Sequence, residues 1–247
     1  MLKFCVKTFL EELQSGVLRA AFPGSQGNWI VNVEVKEKIL AVFRYGESDV
    51  IEEYYIDRSA LFPRKFSLED KIRVVPFGSA VRSGAYVSSD VVIMPPSYVN
   101  IGAYIGRGTM VDSHVLVGSC AQIGENVHLS AGVSIGGVLE PVESVPVIVE
   151  DYVFIGAGCV ITSGFHIKNR AVLGAGLCLS RTIPIYDTVK NQVYHGYIPE
   201  NAVVLPGARD IENNFFDTKL ALQCGVIVKY RDDQTNSKIT LEDALRL

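Results

Sequence analysis

Branched aliphatic residues recur at every sixth position from Val75 to Ile135: Val75, Val81, Val87, Ile93, Val99, Ile105, Val111, Val117, Ile123, Leu129 and Ile135. The series resumes as Val149, Ile155, Ile161, Ile167, Leu173 and Leu179. A helix imposes a period near 3.6 and a strand a period of 2, so neither produces six. A parallel β-solenoid does, because a short strand and a corner form one side of a polygonal coil. Four positions after each anchor the residue is small or β-branched (Ala85, Val91, Ser97, Ala103, Thr109 and onward), as a narrow prism interior requires. Gly102, Gly106, Gly118, Gly124, Gly136 and Gly156 follow anchors or stand near corners, where the backbone turns tightly.

The period predicts a β-helix over residues 73–205, with three six-residue sides per triangular coil. Ile135 and Val149 are 14 residues apart, so segment 137–147 leaves the prism as an excursion loop, and a loop of that kind is a candidate to carry part of a site. Residues 1–72 read as a small α/β cap over an otherwise open solenoid end. In it, Leu2, Val6, Phe9, Leu10 and Leu13 predict an amphipathic helix ending near Gly16, with Leu18 to Ala21 as an extension. Trp29–Val35 alternates like a strand, and Lys36–Tyr45 fits strand or helix. Leu61–Phe66, with Pro63 inside it, reads as an irregular connection. In the C-terminal extension, 206–247, Leu220–Tyr230 reads as a strand and Thr240–Leu247 as a short helix, forming a second cap or an arm to another subunit.

At 247 residues and 48% hydrophobic the chain has enough material for a substantial core. Its net charge of −4 argues against nucleic acid or an anionic membrane as a partner of the whole surface. No apolar run approaches the ~18 residues of a membrane span. Five cysteines without a C-x-x-C pair read as reduced thiols, and a cytoplasmic protein is expected.

Several runs are more specific than the period. They include RVVP from Arg73, SYVNIGAY, GTMVDSHVLVGSCAQIGENVHLSAGVSIGGVLEP, EDYVFIGAG, YHGYIPENAVV, CGVIVK and, near the N-terminus, LQSGVLRAA. Together they resemble the tetrahydrodipicolinate N-succinyltransferase family of hexapeptide-repeat acyltransferases, over most of the chain. The resemblance implies a left-handed β-helix, a homotrimer with sites between subunits, succinyl-CoA as co-substrate and no metal. It implies succinyl transfer to the amine of ring-opened 2-amino-6-oxopimelate, on the diaminopimelate route to lysine. An acetyl donor, another amino-dicarboxylate acceptor and a catalytically weak structural paralogue are the alternatives.

By the same resemblance Arg73 binds a substrate carboxylate, for which its two-pronged guanidinium is suited. Asp112 contacts the substrate amine and acts in catalysis, and Asn100 joins the substrate site. Ser130, Gly132, Ala157 and Gly176 are candidates for the CoA groove, with Lys229 and Arg231 for its phosphates. Glycine-rich coils also offer backbone N–H donors for an oxyanion. The chain departs from the family where a run like FIGARSEVVEG carries a second acid: Val160 stands at the Glu, Gly158 at the Arg and Ser163 at the later Glu. Beside Asp112, Ser113-His114 replaces a Thr-Trp pair. Asp112 then serves as base alone or with His114, or the acceptor differs, or turnover is weak.

Gly132–Gly136 matches G-x-S-x-G, but Ile135 is an anchor and no helix follows, so a nucleophile elbow is rejected. His114 and His128 are 14 residues apart, off any multiple of six, which argues against a stacked metal pair.

Overall fold

The structure, a computed structural model, describes residues 5–51, 53–211 and 218–232. Two-residue strands stack in parallel into a triangular prism. Face A holds Tyr86–Val87, Tyr104–Ile105, Gln122–Ile123, Ile148–Val149, His166–Ile167 and Tyr197–Ile198. Face B runs from Arg73–Val74 through Val92–Ile93, Met110–Val111, His128–Leu129, Phe154–Ile155 and Val172–Leu173 to Ala202–Ile211. Face C holds Ala80–Val81, Tyr98–Val99, Leu116–Val117, Ser134–Ile135, Val160–Ile161 and Cys178–Leu179. Met110 pairs with His128 and Leu116 with Ser134, a spacing of 18 and so one triangular turn, as the period predicts.

From Val81 onward the anchors make the core; in the first coil the pairing slips by one residue, so that Val74 and not Val75 lies beside Ile93 and packs against it. Ile93, Val99, Ile105, Val111, Val117, Leu129, Ile135, Ile155 and Ile161 are all 0% exposed. Each such side chain contributes about 1.5–3 kcal/mol when withdrawn from water. The polar residues inside are satisfied at corners. Thr109 Oγ1 donates to the Gly124 carbonyl at 2.9 Å and accepts the Val127 N–H at 3.1 Å. Ser97 Oγ donates to the Asp112 carbonyl at 2.7 Å and accepts the Val115 N–H at 3.1 Å. At Gly106 a Cβ would lie 2.5 Å from the Gly124 backbone, so close stacking of the coils requires glycine there.

In the cap, α1 (Val6–Gln14) buries Phe9, Leu10 and Leu13 and ends before Gly16, whose φ is +78°. Leu18–Ala21 does not extend it; Ala21–Pro23 pairs antiparallel with Trp29–Val31. The strand expected to reach Val35 stops at Val31, because Asn32 caps α2 (Val33–Tyr45), its Oδ1 accepting the Val35 N–H at 3.3 Å. Lys36–Tyr45 is therefore helical, and Val35, Ile39 and Val42 face the core at helical spacing.

The excursion leaves at the corner between faces C and A and packs beneath the cap. Leu139 joins the cap's apolar cluster, and Lys36, 0% exposed, donates from Nζ to the Ser144 carbonyl at 2.5 Å. A second interruption was not legible. After Ile185 keeps the phase, an antiparallel hairpin of Pro184–Asp187 and Gln192–His195 precedes the return to face A at Tyr197–Ile198. The strand Leu220–Tyr230 forms as expected, paired along its length with Ala202–Ile211, which runs through position 205. The expected helix Thr240–Leu247 lies outside the described residues. All five cysteines are free.

Asp187 closes the base of the prism. It is 3% exposed and accepts from Tyr230 Oη at 2.6 Å and from the N–H groups of Val189 and Lys190 at 2.9 and 3.0 Å. Burial pushes its carboxyl up, but these bonds outweigh burial and hold it below the ordinary carboxylate range. A depressed folded pKa gives stability that is present above the unfolded value, about 3.9, and is lost as pH falls through the folded value. Asp187→Asn is expected to cost about 1–3 kcal/mol near pH 7. Urea midpoints should show the gap from the parent narrowing below about pH 4, whereas a gap constant with pH contradicts the assignment.

Candidate active site

A groove of about 740 Å³ runs along face B. Two columns of the repeat build it. The residue before each anchor points outward and supplies Met110, His128, Phe154 and Val172, with Arg73 at the upper end. The residue after each anchor supplies Met94, Asp112, Ser130, Gly156 and Gly174. The two columns thus place a cation, a carboxylate and a hydroxyl on an otherwise apolar wall. His128 stacks on Phe154 with ring centroids 4.7 Å apart, which fixes the imidazole in the wall.

Asp112 is half-buried and rigidly held. Its carbonyl accepts from Ser97, and its Oδ1 accepts the Ser113 N–H at 2.7 Å. Its Oδ2 has no hydrogen-bond partner among the described residues. The sharp turn beyond it puts His114 at φ +61°, exposed at the B–C corner and outside the groove lining.

The same corner carries Gly132, Gly158 and Gly176 at φ +72°, +68° and +79°. Gly132 and Gly176 were expected to line the CoA groove, and neither is in its wall. Their N–H groups are also committed, Gly132 to the Ser113 carbonyl at 2.8 Å and Gly176 to the Ala157 carbonyl at 2.9 Å. The donors left over belong to the residues just before them. Ala131, Ala157 and Ala175 line the groove, and their N–H groups have no partner among the described residues. Their position before a corner glycine becomes informative only once the hydrogen bonds of the stack are assigned. The apolar wall was legible in the sequence, one residue ahead of each anchor.

Of the expected residues, the groove brings together Arg73, Asp112, Ser130 and Ala157. Asn100 is on face C, where its Oδ1 accepts from the Ile101 N–H at 2.8 Å and from Arg82 at 3.4 Å. Lys229 pairs with Asp232 at 2.9 Å, and Arg231 Nη1 donates to the Tyr152 and Arg170 carbonyls at 3.0 and 3.3 Å, at the A–B corner. Val160 is on face C, paired with Ser134 and Cys178. The excursion contributes nothing to the groove of its own chain. Ser134 of the G-x-S-x-G run sits on a two-residue strand inside the stack, with no helix after it. No group of three or more His, Cys, Asp or Glu residues converges as a metal site among the described residues, and no described helix is long and apolar enough to cross a membrane.

Residues 146–181 match the family model described as the hexapeptide repeat of succinyl-transferase. This identifies the prism as the left-handed β-helix of those proteins. A 2,3,4,5-tetrahydropyridine-2,6-dicarboxylate N-succinyltransferase from the Wolbachia of Brugia malayi is 40% identical over 250 residues, covering 98% of this chain and 88% of that protein. The enzyme of the same name from Idiomarina loihiensis is 40% identical over 252 residues, covering 99% and 89%. That from Xylella fastidiosa Temecula1 is 37% identical over 248 residues, covering 98% and 87%. With that likeness running along nearly the whole of both chains, the chain belongs to the 2,3,4,5-tetrahydropyridine-2,6-dicarboxylate N-succinyltransferase family.

Proposed function

We propose that the protein transfers succinyl from succinyl-CoA to the amine of ring-opened 2-amino-6-oxopimelate, the hydrated form of tetrahydrodipicolinate, as a step toward diaminopimelate and lysine. The observation that carries this reading is the meeting of Arg73 and Asp112 on one groove wall beside unpaired backbone donors. Arg73 engages a substrate carboxylate. Asp112, held by Ser97 and Ser113, directs its open oxygen at the amine. An aliphatic ammonium has a pKa near 10, so the nucleophile needs a base. Asp112 takes the ammonium proton and releases it to solvent. The freed amine attacks the thioester carbonyl, a C–N bond forms and the second proton, lost from the nitrogen of the tetrahedral adduct, passes to Asp112. The tetrahedral oxyanion collapses, the C–S bond breaks and CoA leaves as the thiol, taking the proton. The N–H groups of Ala131, Ala157 and Ala175 are spaced by whole coils along the groove, which suits pantetheine amides and one oxyanion.

The working form in this reading is a homotrimer. Asp112 and Arg73 are on face B, whereas Asn100 and Val160 are on face C, and two faces of one prism diverge. A second copy brings its face C to the groove. The outward column of face C supports this, because Tyr98 and Leu116 leave 36% and 38% of their surface exposed where a solvated face would be polar. The reading places the enzyme in the cytoplasm, with no metal, nucleic-acid or membrane partner.

His114 stands off the groove, so His114→Ala should keep kcat/KM and its pH profile within about threefold, the scale of an ordinary surface change. A loss of a pH limb in that variant would give the imidazole a catalytic role. Thiol release from succinyl-CoA tests the function itself. Release that depends on tetrahydrodipicolinate is expected. Release only with another amino-dicarboxylate moves the acceptor, faster release from acetyl-CoA moves the donor, and no release with any acceptor removes the function.

A further inference from the structure

A second cavity, about 380 Å³ and open to solvent beside Glu125, lies between the cap and face A and shares no lining residue with the groove. The cap supplies Arg19, Asn28 and Trp29, and the coils supply Tyr104, Glu125 and Asp151. Its centre is an arginine held in one position. The Arg19 guanidinium lies over the Tyr104 ring at 3.6 Å and 5.6 Å from Trp29, and its Nε donates to Gln122 Oε1 at 3.0 Å. Gln122 is 1% exposed, and its Nε2 donates to the Cys120 carbonyl at 2.9 Å. The amide is thereby turned so that its oxygen faces the arginine.

This arrangement goes beyond what packing needs. Both terminal nitrogens of Arg19 lack a hydrogen-bond partner, and no carboxylate is within ion-pair distance, among the described residues. Burial pushes the guanidinium pKa down, and the attraction of Tyr104, Tyr86 and Asp151 offsets that cost only in part. A guanidinium fixed by a stack and a buried amide, with its fork open, matches a carboxylate. The opposite wall is acidic. Asp151 commits Oδ1 to the Glu125 N–H at 2.7 Å, leaving its second oxygen and the Glu125 carboxylate to face a cation.

We propose that this cavity binds a small α-amino acid, its carboxylate on Arg19 and its ammonium against Glu125 and Asp151. The ligand bridges cap and prism, so it binds the folded chain alone and raises its melting temperature. The site is independent of the proposed transfer reaction.

The test is calorimetric titration of the full chain with L-norleucine and L-lysine (both charges), hexanoate (carboxylate only) and 1-aminohexane (ammonium only). The expected result is millimolar or tighter binding of at least one amino acid and none of either single-charge probe. Arg19→Lys, which keeps the charge and loses the fork, should weaken binding at least ~10-fold, and Glu125→Gln should weaken it as well. Binding should persist in Arg73→Ala, which separates this cavity from the groove. The proposal is overturned if no amino acid binds, if hexanoate binds as tightly as norleucine, if the Arg19 and Glu125 variants bind normally, or if Arg73→Ala abolishes binding. Far-UV circular dichroism and the melting temperature of each variant without ligand show that it is folded.

Discussion

Asp112→Asn is expected to lower kcat at least ~10²-fold while the protein stays folded, the scale of losing a positioned general base. Asparagine keeps the shape of the side chain, and its Oδ1 still accepts the Ser113 N–H, so the turn that follows is preserved. What disappears is the ability to take the amine proton. KM for the acceptor should change far less than kcat, because the proposed carboxylate contact is Arg73, on a separate strand. Steady-state kinetics with succinyl-CoA and tetrahydrodipicolinate read the split directly. A near-normal kcat would remove Asp112 from the chemistry, and a change confined to KM would reduce it to a binding group.

Ile135→Ala is expected to cost about 2–5 kcal/mol, the range for emptying a close-packed core position. Ile135 is 0% exposed, and its strand pairs with Leu116–Val117 and Val160–Ile161. The stack has little freedom to collapse around the void, since the coils are locked by backbone pairing above and below. A fall in melting temperature on the order of 10 °C follows. Ile135 points into the prism interior and not onto the outer surface that a neighbouring copy would bring to the groove, so kcat per folded molecule should hold. A change under about 0.5 kcal/mol would contradict the assignment of the sixfold series as the load of the core.

The anchor series was legible because one residue in six must be aliphatic to fill a narrow prism, and nothing else produces that phase. Phase also gives the groove: Met110, His128, Phe154 and Val172 precede anchors, and Asp112, Ser130 and Gly156 follow them. The corner was harder to read. Gly132 and Gly176 draw attention as glycines, yet their N–H groups are spent inside the stack, and the open donors belong to Ala131 and Ala175. Alanine before glycine carries no signal until the hydrogen bonds are counted. The hairpin at 184–195 was hidden because Ile185 keeps the phase into it. The switch from strand to helix after Val31 turns on a single cap by Asn32. Lys36 was unreadable as a buried cation, because its acceptor, the Ser144 carbonyl, is 108 residues away in the excursion.

The central claim is that the face B groove makes an amide from succinyl-CoA and an amino-dicarboxylate. Mass spectrometry of the reaction of the intact protein with succinyl-CoA and tetrahydrodipicolinate measures this most directly. The account predicts N-succinyl-2-amino-6-oxopimelate appearing in step with free CoA thiol, and its near-disappearance in Asp112→Asn. Thiol release without that product, or the product at the same rate from Asp112→Asn, would contradict it.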